Sequence, residues 1–304
     1  MFGIKLNPKK SVQVPSRFNV YTMDPFIASF IDEEGDAESK SFAVDFSVLE
    51  FADPVAIVVM SNLFEYLKLL NVKVTLIGLA NRSEGVIFLD DSGFFLQYHG
   101  SMLRPHAALR DTTLPLKLVA NPKAIPYLYA DVIPWIAQRL QTTAIALGTL
   151  RVTLQEVFHN INDHSGVQVG CVFIQHFPKK NEINIAISDF GTGIPKNVRK
   201  VQPEANDQEA LVLAIKEGFT SKSNVQNRGA GLAILMNYVA LRNRGTVIIT
   251  SGRGNLSAVY DKAKVKITAR SRVSHYPGTL VNVILKTDTL NEFVSDVEHE
   301  EFSW

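Results

Sequence analysis

The chain has 304 residues, carries 31 basic against 30 acidic side chains, and is 46% hydrophobic. That length and composition allow two globular units with real cores, and the near-zero charge balance gives no hint of general attraction to nucleic acid or membrane. One cysteine, Cys171, excludes an internal disulfide, and with no His/Cys ligand cluster a structural zinc site is not expected.

The N-terminus, MFGIKLNPKK, lacks the apolar core of a signal peptide. No run reaches the length of a membrane span, so a cytoplasmic location is expected. Residues 41–46 read as a strand. A helix-period segment follows, with Val55, Val58, Val59, Leu63, Tyr66, Leu67 and Leu70 on one stripe. Pro54 suits its first turn and Asp53 its cap. Then come an apolar strand, VKVTLIGL (72–79), and a capped segment from Ser83 towards Phe95. Strand, helix, strand, helix implies parallel pairing in a small α/β sheet.

Over about residues 41–98 this pattern resembles a STAS domain, the fold of anti-sigma-factor antagonists. Those antagonists carry a phosphorylatable Ser at the start of the first long helix. Here the chain reads ADPVA (52–56), and Ser61 stands two turns further on. The resemblance therefore implies a degenerate phosphoacceptor site and a docking or dimerising module. A protein partner, or a second copy in a homodimer, would bind through it. A generic α/β domain is the alternative.

Residues 106–126, punctuated by prolines, read as a connector. Residues 127–140 are helical in pattern despite Pro134, with Ile133, Trp135, Ile136 and Leu140 towards the core. The segment 145–158 places Leu147, Leu150, Leu154 and Val157 at helical spacing. Its continuation, EVFHNINDHS (156–165), puts Glu156, Asn160 and Asp163 on one helical face. Asn is a poor interior helix former. A solvated polar face is the alternative reading.

Residues 170–177 read as a strand, and 183–188 as another with Ile183, Ile185 and Ile187 in alternation. The second ends in SDFGTGIP (188–195), where Asp189 precedes Gly191 and Gly193. A carboxylate at a strand mouth beside unobstructed backbone suits an exocyclic amine in an apolar slot. An ordinary tight turn is the competing reading.

The stretch FTSKSNVQNRGAGLAIL (219–235) begins as a polar run with no hydrophobic period, readable as a lid over phosphates. Gly229 and Gly231 lead it into an apolar helix at 232–241, whose start would offer N–H groups to an anion. Neither GxxxxGK[ST] nor a GxGxxG after a strand occurs. A late strand, GTLVNVILK, covers 278–286, and the tail at 291–304 is acidic and expected to be solvated.

In this order the signatures resemble the GHKL-type ATPase domain shared by gyrase B, the MutL repair proteins, the 90-kDa heat-shock chaperones and the histidine kinases. The family's ExxxN helix is matched by Glu156 and Asn160, its DxGxG turn by Asp189, Gly191 and Gly193, and its GxGL helix start by Gly229, Gly231 and Leu232. EGFTSKS (217–223) is similar to the family's lid entrance, and 278–286 to its closing Gly-Thr strand. The resemblance spans roughly 133–286. It implies an α+β sandwich with helices on one face of a mixed sheet at 127–290, after a STAS-like α/β domain at 1–105.

It also implies ATP and Mg2+ as ligands. Asn160 would hold the Mg2+ ion, which prefers few protein ligands and several waters. Asp189 would accept from the adenine amine, Gly191 and Gly193 would let the backbone approach the base, and Gly229, Gly231 and Leu232 would form the phosphate cradle. Asp163 shares the nucleotide-facing side of the helix, and Thr220 and Lys222 are the lid candidates, with Arg228 beside them. Glu156 matches the general base that orients water.

His159 and His164 are close to Glu156 and Asn160, but His159 neighbours that face rather than lying on it. The resembled histidine kinases carry their acceptor His on a separate helix pair, followed by an acidic residue and a proline. Neither His99 in YHGSM nor His106 in RPHAAL has that form, so a self-phosphorylating histidine kinase is disfavoured. Three functions are expected candidates. One is an ATP-hydrolysing conformational switch signalling to a partner. The second is a Ser/Thr kinase of the anti-sigma-factor type, whose helix EVFHNINDHS resembles, acting on a STAS-like protein. The third is a nucleotide-dependent scaffold without turnover.

Overall fold

The computed structural model describes residues 10–120, 123–164, 169–216 and 231–290. Its N-terminal part contains β1 (Lys10–Gln13), β2 (Arg17–Phe18), α1 (Met23–Ala28), β3 (Ser41–Asp45), β4 (Phe51–Ala52), α2 (Pro54–Leu69), β5 (Lys73–Ile77), α3 (Glu84–Asp91) and α4 (Phe94–His99). Strands β1, β3 and β5 form a parallel sheet in that order. The crossover from β3 through α2 to β5 is the parallel unit expected from the sequence. β5 lies at the sheet edge and is half-exposed, so it is less enclosed than its apolar composition suggests.

Helix α2 starts where the sequence places a start. Asp53 accepts the Ala56 N–H at 2.9 Å, and Pro54, with no donor to lose, occupies the first turn. The helix is not one-sided, however. Every residue from 54 to 64 is buried, including Ile57, Met60, Ser61 and Asn62, which lie outside the predicted stripe. A helix apolar all round must be covered all round.

The second cover is a five-stranded sheet in the C-terminal part. There the elements are β6 (Thr113–Ala120), α5 (Ala124–Tyr127), α6 (Ile133–Arg139), α7 (Gly148–His164), β7 (Val169–Phe177), β8 (Glu182–Asp189), α8 (Gly193–Val198), α9 (Asp207–Ala214), α10 (Gly231–Met236), β9 (Thr246–Asp261) and β10 (Lys264–Lys286). Residues 128–132 and 237–242 continue α5 and α10 as π-helical turns. The sheet order is β6-β7-β8-β10-β9, and every described pair is antiparallel, where a mixed sheet was expected. The protein as a whole has α+β character.

Two further corrections concern strands. The stretch read as a connector supplies β6, an edge strand whose pairing with β7 shifts register between Leu114 and Lys117, around Pro115. A proline is tolerated at an edge, where its missing N–H interrupts little. The 278–286 strand is only the end of β10, which runs back to Lys264 and pairs with β9 to make a long ribbon.

Strand alternation sorts the sheet into two faces. Val172, Ile174, Ile183, Ile185, Ile187, Val281, Val283 and Leu285 pack with Leu150, Leu154, Val157, Phe158 and Leu235 of the helix layer. Cys171, Phe173, Ala186, Phe190, Tyr276 and Leu280 belong instead to the core of the N-terminal part. The Phe88 and Phe173 rings meet edge to face across this seam, 5.9 Å apart. The C-terminal part's own helices thus cover one face, as expected, and α2 covers the other. Among the described residues no helix is long and apolar enough to cross a membrane.

Candidate functional site

The period of β8 decides where Asp189 points. Ile183, Ile185 and Ile187 enter the helix-side core, so Asp189, two residues on, shares their face at the strand end. The paired positions across the sheet are Gly170 on β7, Thr279 on β10 and, beyond it, Ser251 on β9. Gly170 brings no side chain against the carboxylate from one side. From the other come two hydroxyls, Ser251 Oγ and Thr279 Oγ1, 3.2 Å apart.

Asp189 is only 6% exposed. Burial pushes its carboxyl up to about 7, against the opposing pull of the Gly191 and Thr279 backbone N–H groups. The Gly191 N–H donates to Oδ1 at 2.7 Å. A nearly dry carboxyl with one firm donor retains acceptor capacity for a ligand N–H.

The glycines around it have packing roles that the motif alone did not assign. Gly193 has φ +76°, and a Cβ there would stand 2.7 Å from Ser251 Oγ and 3.0 Å from the Gly278 carbonyl oxygen. Ser251 Oγ also accepts the Ile194 N–H at 2.9 Å, tying the turn to β9. Gly278 has φ +77°, and a Cβ there would lie 2.2 Å from the Asp189 carbonyl oxygen and 2.7 Å from its Oδ1. The Gly191–Gly193 turn and the Gly278–Thr279 pair therefore close on each other. Only a residue without Cβ fits either contact.

Glu156 lies on α7, half-buried, with Val157 and Phe158 beside it in the helix-side core. Gly231, the first residue of α10, sits directly on it: a Cβ at 231 would be 2.6 Å from Glu156 Oε2 and 2.8 Å from its Cβ. Here too the glycine permits close approach, in this case of one helix start to the carboxylate-bearing helix. Leu232 is partly buried against the same core. Helix α7 also contacts α8, which begins at Gly193, so the helix bearing Glu156 adjoins the glycine turn.

The structure thus groups Asp189, Gly191 and Gly193 at the sheet end and sets Gly231 against Glu156. The side chains of Asn160 and Asp163, on the last turns of α7, lie outside the described residues, as do Thr220, Lys222, Arg228 and Gly229. The expected Mg2+ ligand is therefore not placed by the geometry. Among the described residues there is no group of three or more His, Cys, Asp or Glu side chains arranged to hold a metal ion.

Sequence reasoning missed Ser251, Thr279 and Gly170. The Gly-Thr dipeptide at 278–279 was the one available signal. It also missed Asn62, a buried side chain of α2 that donates to the Pro277 carbonyl at 2.9 Å. Asn62 thereby ties the N-terminal part to the residue preceding Gly278. Beside it Ser188 Oγ bonds Tyr276 Oη at 3.0 Å and the Thr279 carbonyl at 3.0 Å, on the back of the same strands.

No protein-family model and no curated protein matches this chain. Among solved structures, one titled "Crystal Structure of N terminal domain of a DNA repair protein" is similar at 18% identity over 38% of this chain, with a TM-score of 0.17. The match spans 32% of that chain, about a third of its length, and at this TM-score it carries no argument.

Proposed function

We propose that the chain binds ATP with Mg2+ at the Asp189 end of the five-stranded sheet and hydrolyses it as a conformational switch read by a protein partner. The observation that carries this reading is Asp189 itself, a buried carboxylate on the helix side of the sheet, facing the layer that contains Glu156. Burying a carboxyl this deeply costs free energy unless a ligand or a proton uses it.

The donor set suits an adenine. Asp189 accepts from the exocyclic amine, and the Thr279 hydroxyl is within the same row to bond a ring nitrogen or a bridging water, while Ser251 Oγ behind it donates to the Gly278 carbonyl at 2.7 Å. Glu156, packed against the start of α10, is the carboxylate that would accept a proton from an attacking water. Mg2+, when bound, supplies charge neutralisation on the triphosphate, and Asn160 is the residue assigned to it.

The switch part of the proposal rests on α2. This helix touches strands β7, β8 and β10 behind the site, and Asn62 bonds the carbonyl next to Gly278. A change at the Gly191–Gly193 turn on nucleotide binding would be felt there, and a partner docked on the N-terminal part would be informed of it.

The test is incubation with Mg2+ and γ-labelled ATP, alone and with STAS-like proteins, following free phosphate and protein-bound label together. Free phosphate that disappears in Glu156→Gln, with ATP binding retained, is the expected result. Label passing to a Ser or Thr of a partner would replace the switch with a kinase. An Asp189→Asn variant that binds ATP as tightly as the parent would remove the site altogether.

A further inference from the structure

The part of β10 that meets Asp189 is held by side chains where its strand pairing lapses. Along β9 the pairing passes from Tyr276, level with Gly252, to Thr279, level with Ser251, and the pairing with β8 begins only at Thr279. Pro277 and Gly278 are therefore extra residues, a bulge of the kind that re-aims side chains beside ligand sites. Buried backbone groups released from a ladder must bond elsewhere. Pro277 has no N–H to place. Its carbonyl accepts from Asn62 Nδ2 at 2.9 Å, and the Gly278 carbonyl accepts from Ser251 Oγ at 2.7 Å. Ser251 belongs to the same sheet, whereas Asn62 reaches in from the N-terminal part.

Asn62 is an unfavourable choice for packing alone. It is fully buried inside α2, and its Oδ1 has no hydrogen-bond partner among the described residues. An interior helical Asn and an unpaired buried acceptor both cost stability. Val58, Val59 and Leu63 show what this helix uses where only apolar contact is needed. Local rules are broken in this way where a residue has another task. The bond to Pro277 supplies one, because the bulge governs two contacts of the site. A Cβ at Gly278 would lie 2.2 Å from the Asp189 carbonyl oxygen and 2.8 Å from the Gly191 nitrogen. Thr279 stands level with Asp189, and its backbone N–H is one of the two that favour the charged carboxyl. A shift of Pro277 passes directly to both neighbours.

We propose that Asn62 is a positioning residue for the Asp189 site: through the Pro277 carbonyl it fixes the bulge, and the bulge sets Gly278 and Thr279 against Asp189 and the Gly191 turn. The N-terminal part thus completes the ligand site from behind, and the five-stranded sheet by itself leaves the bulge without its second anchor. The effect on nucleotide affinity rests on the ATP reading; the positioning does not.

The test is amide hydrogen exchange, followed by NMR, in the full chain and in Asn62→Leu, Asn62→Ala and Ser61→Ala. Leu keeps the approximate shape of Asn and removes the donor, and Ala serves if Leu does not fold. The Gly191 N–H, which donates to Asp189 Oδ1, and the Thr279 N–H are the reporters. Both should exchange at least about tenfold faster in the Asn62 variants, relative to Ile185 and Val283 in the same strands. Ser61→Ala removes the neighbouring hydroxyl, which bonds Tyr98 in the same seam, and should leave both reporters at the parent's rate. ATP binding should weaken at least about tenfold in Asn62→Leu. Responsive reporters in a protein whose parent form binds no ATP would remove the nucleotide reading and keep the positioning. Unchanged reporters in the Asn62 variants, a uniform rise across the sheet, or an equal rise in Ser61→Ala would overturn the proposal.

Discussion

Replacing Asp189 by Asn should stabilise the ligand-free protein above neutral pH and, on the proposed function, remove its affinity for ATP. The ordinary carboxyl value is 3.8, and burial carries it up to about 7 in the fold. Between those values the folded state holds a proton that the unfolded state has released, so stability falls as pH rises from about 4 to about 7 and stays low above. At about 1.4 kcal/mol per unit, that difference of roughly three units costs about 4 kcal/mol at pH 8. An Asn cannot ionise and escapes this cost, but its amide remains buried and imperfectly bonded, at about 1–3 kcal/mol. The net gain at pH 8 is therefore about 1–3 kcal/mol, the trade of stability for function that a buried binding group implies. Urea denaturation of both proteins at pH 5 and pH 8 measures it, because the other carboxyls cancel in the comparison. About 2–3 kcal/mol of the difference should appear between those two pH values. If the difference is the same at both, the carboxyl is not desolvated, and the physical case for Asp189 as a poised ligand-binding group fails.

The other outcomes concern the contacts that hold the site. Gly278→Ala places a methyl against the Asp189 carbonyl oxygen at a φ of +77°; the backbone term alone is about 1–2 kcal/mol, and with the overlap a loss of about 2–4 kcal/mol is expected in urea denaturation. Parent-like stability would mean the two turns do not meet as described. Phe173→Ala removes a ring fully buried at the seam and should cost about 3–5 kcal/mol, while calorimetry of the parent should give one transition, since a continuous core unfolds as a unit. Two well-separated transitions would refute that. The Cys171 thiol is fully buried, and desolvation raises its pKa far above the usual range; it should resist a thiol reagent in the native state and react at the rate of unfolding, whereas fast labelling would contradict the packing of α2 on the sheet.

Several of these features were legible in the residues. The alternation of Ile183, Ile185 and Ile187 fixed the face of β8 and hence the direction of Asp189, because a strand's period of two carries over one more step. The Asp53–Pro54 start of α2 was readable because capping is a local hydrogen bond. β6 was not readable, since its edge position tolerates a proline and needs little apolar pattern. The reason for Gly231 was hidden as well: a glycine before a helix suggests an anion cradle, yet its contact with Glu156 is across two helices far apart in sequence.

By itself, then, the sequence determined the local elements, the order of the Glu156, Asp189 and Gly231 signatures, and which side of a strand each residue takes, all of which depend on neighbours within a few positions. Only the tertiary structure decided that α2 is covered on both sides, that Thr279 and Ser251 stand in one row with Asp189, and that Gly231 sits against Glu156. These depend on strand pairing and helix packing between residues tens to hundreds of positions apart. Such partners are chosen by the burial of whole faces, which no local spacing records.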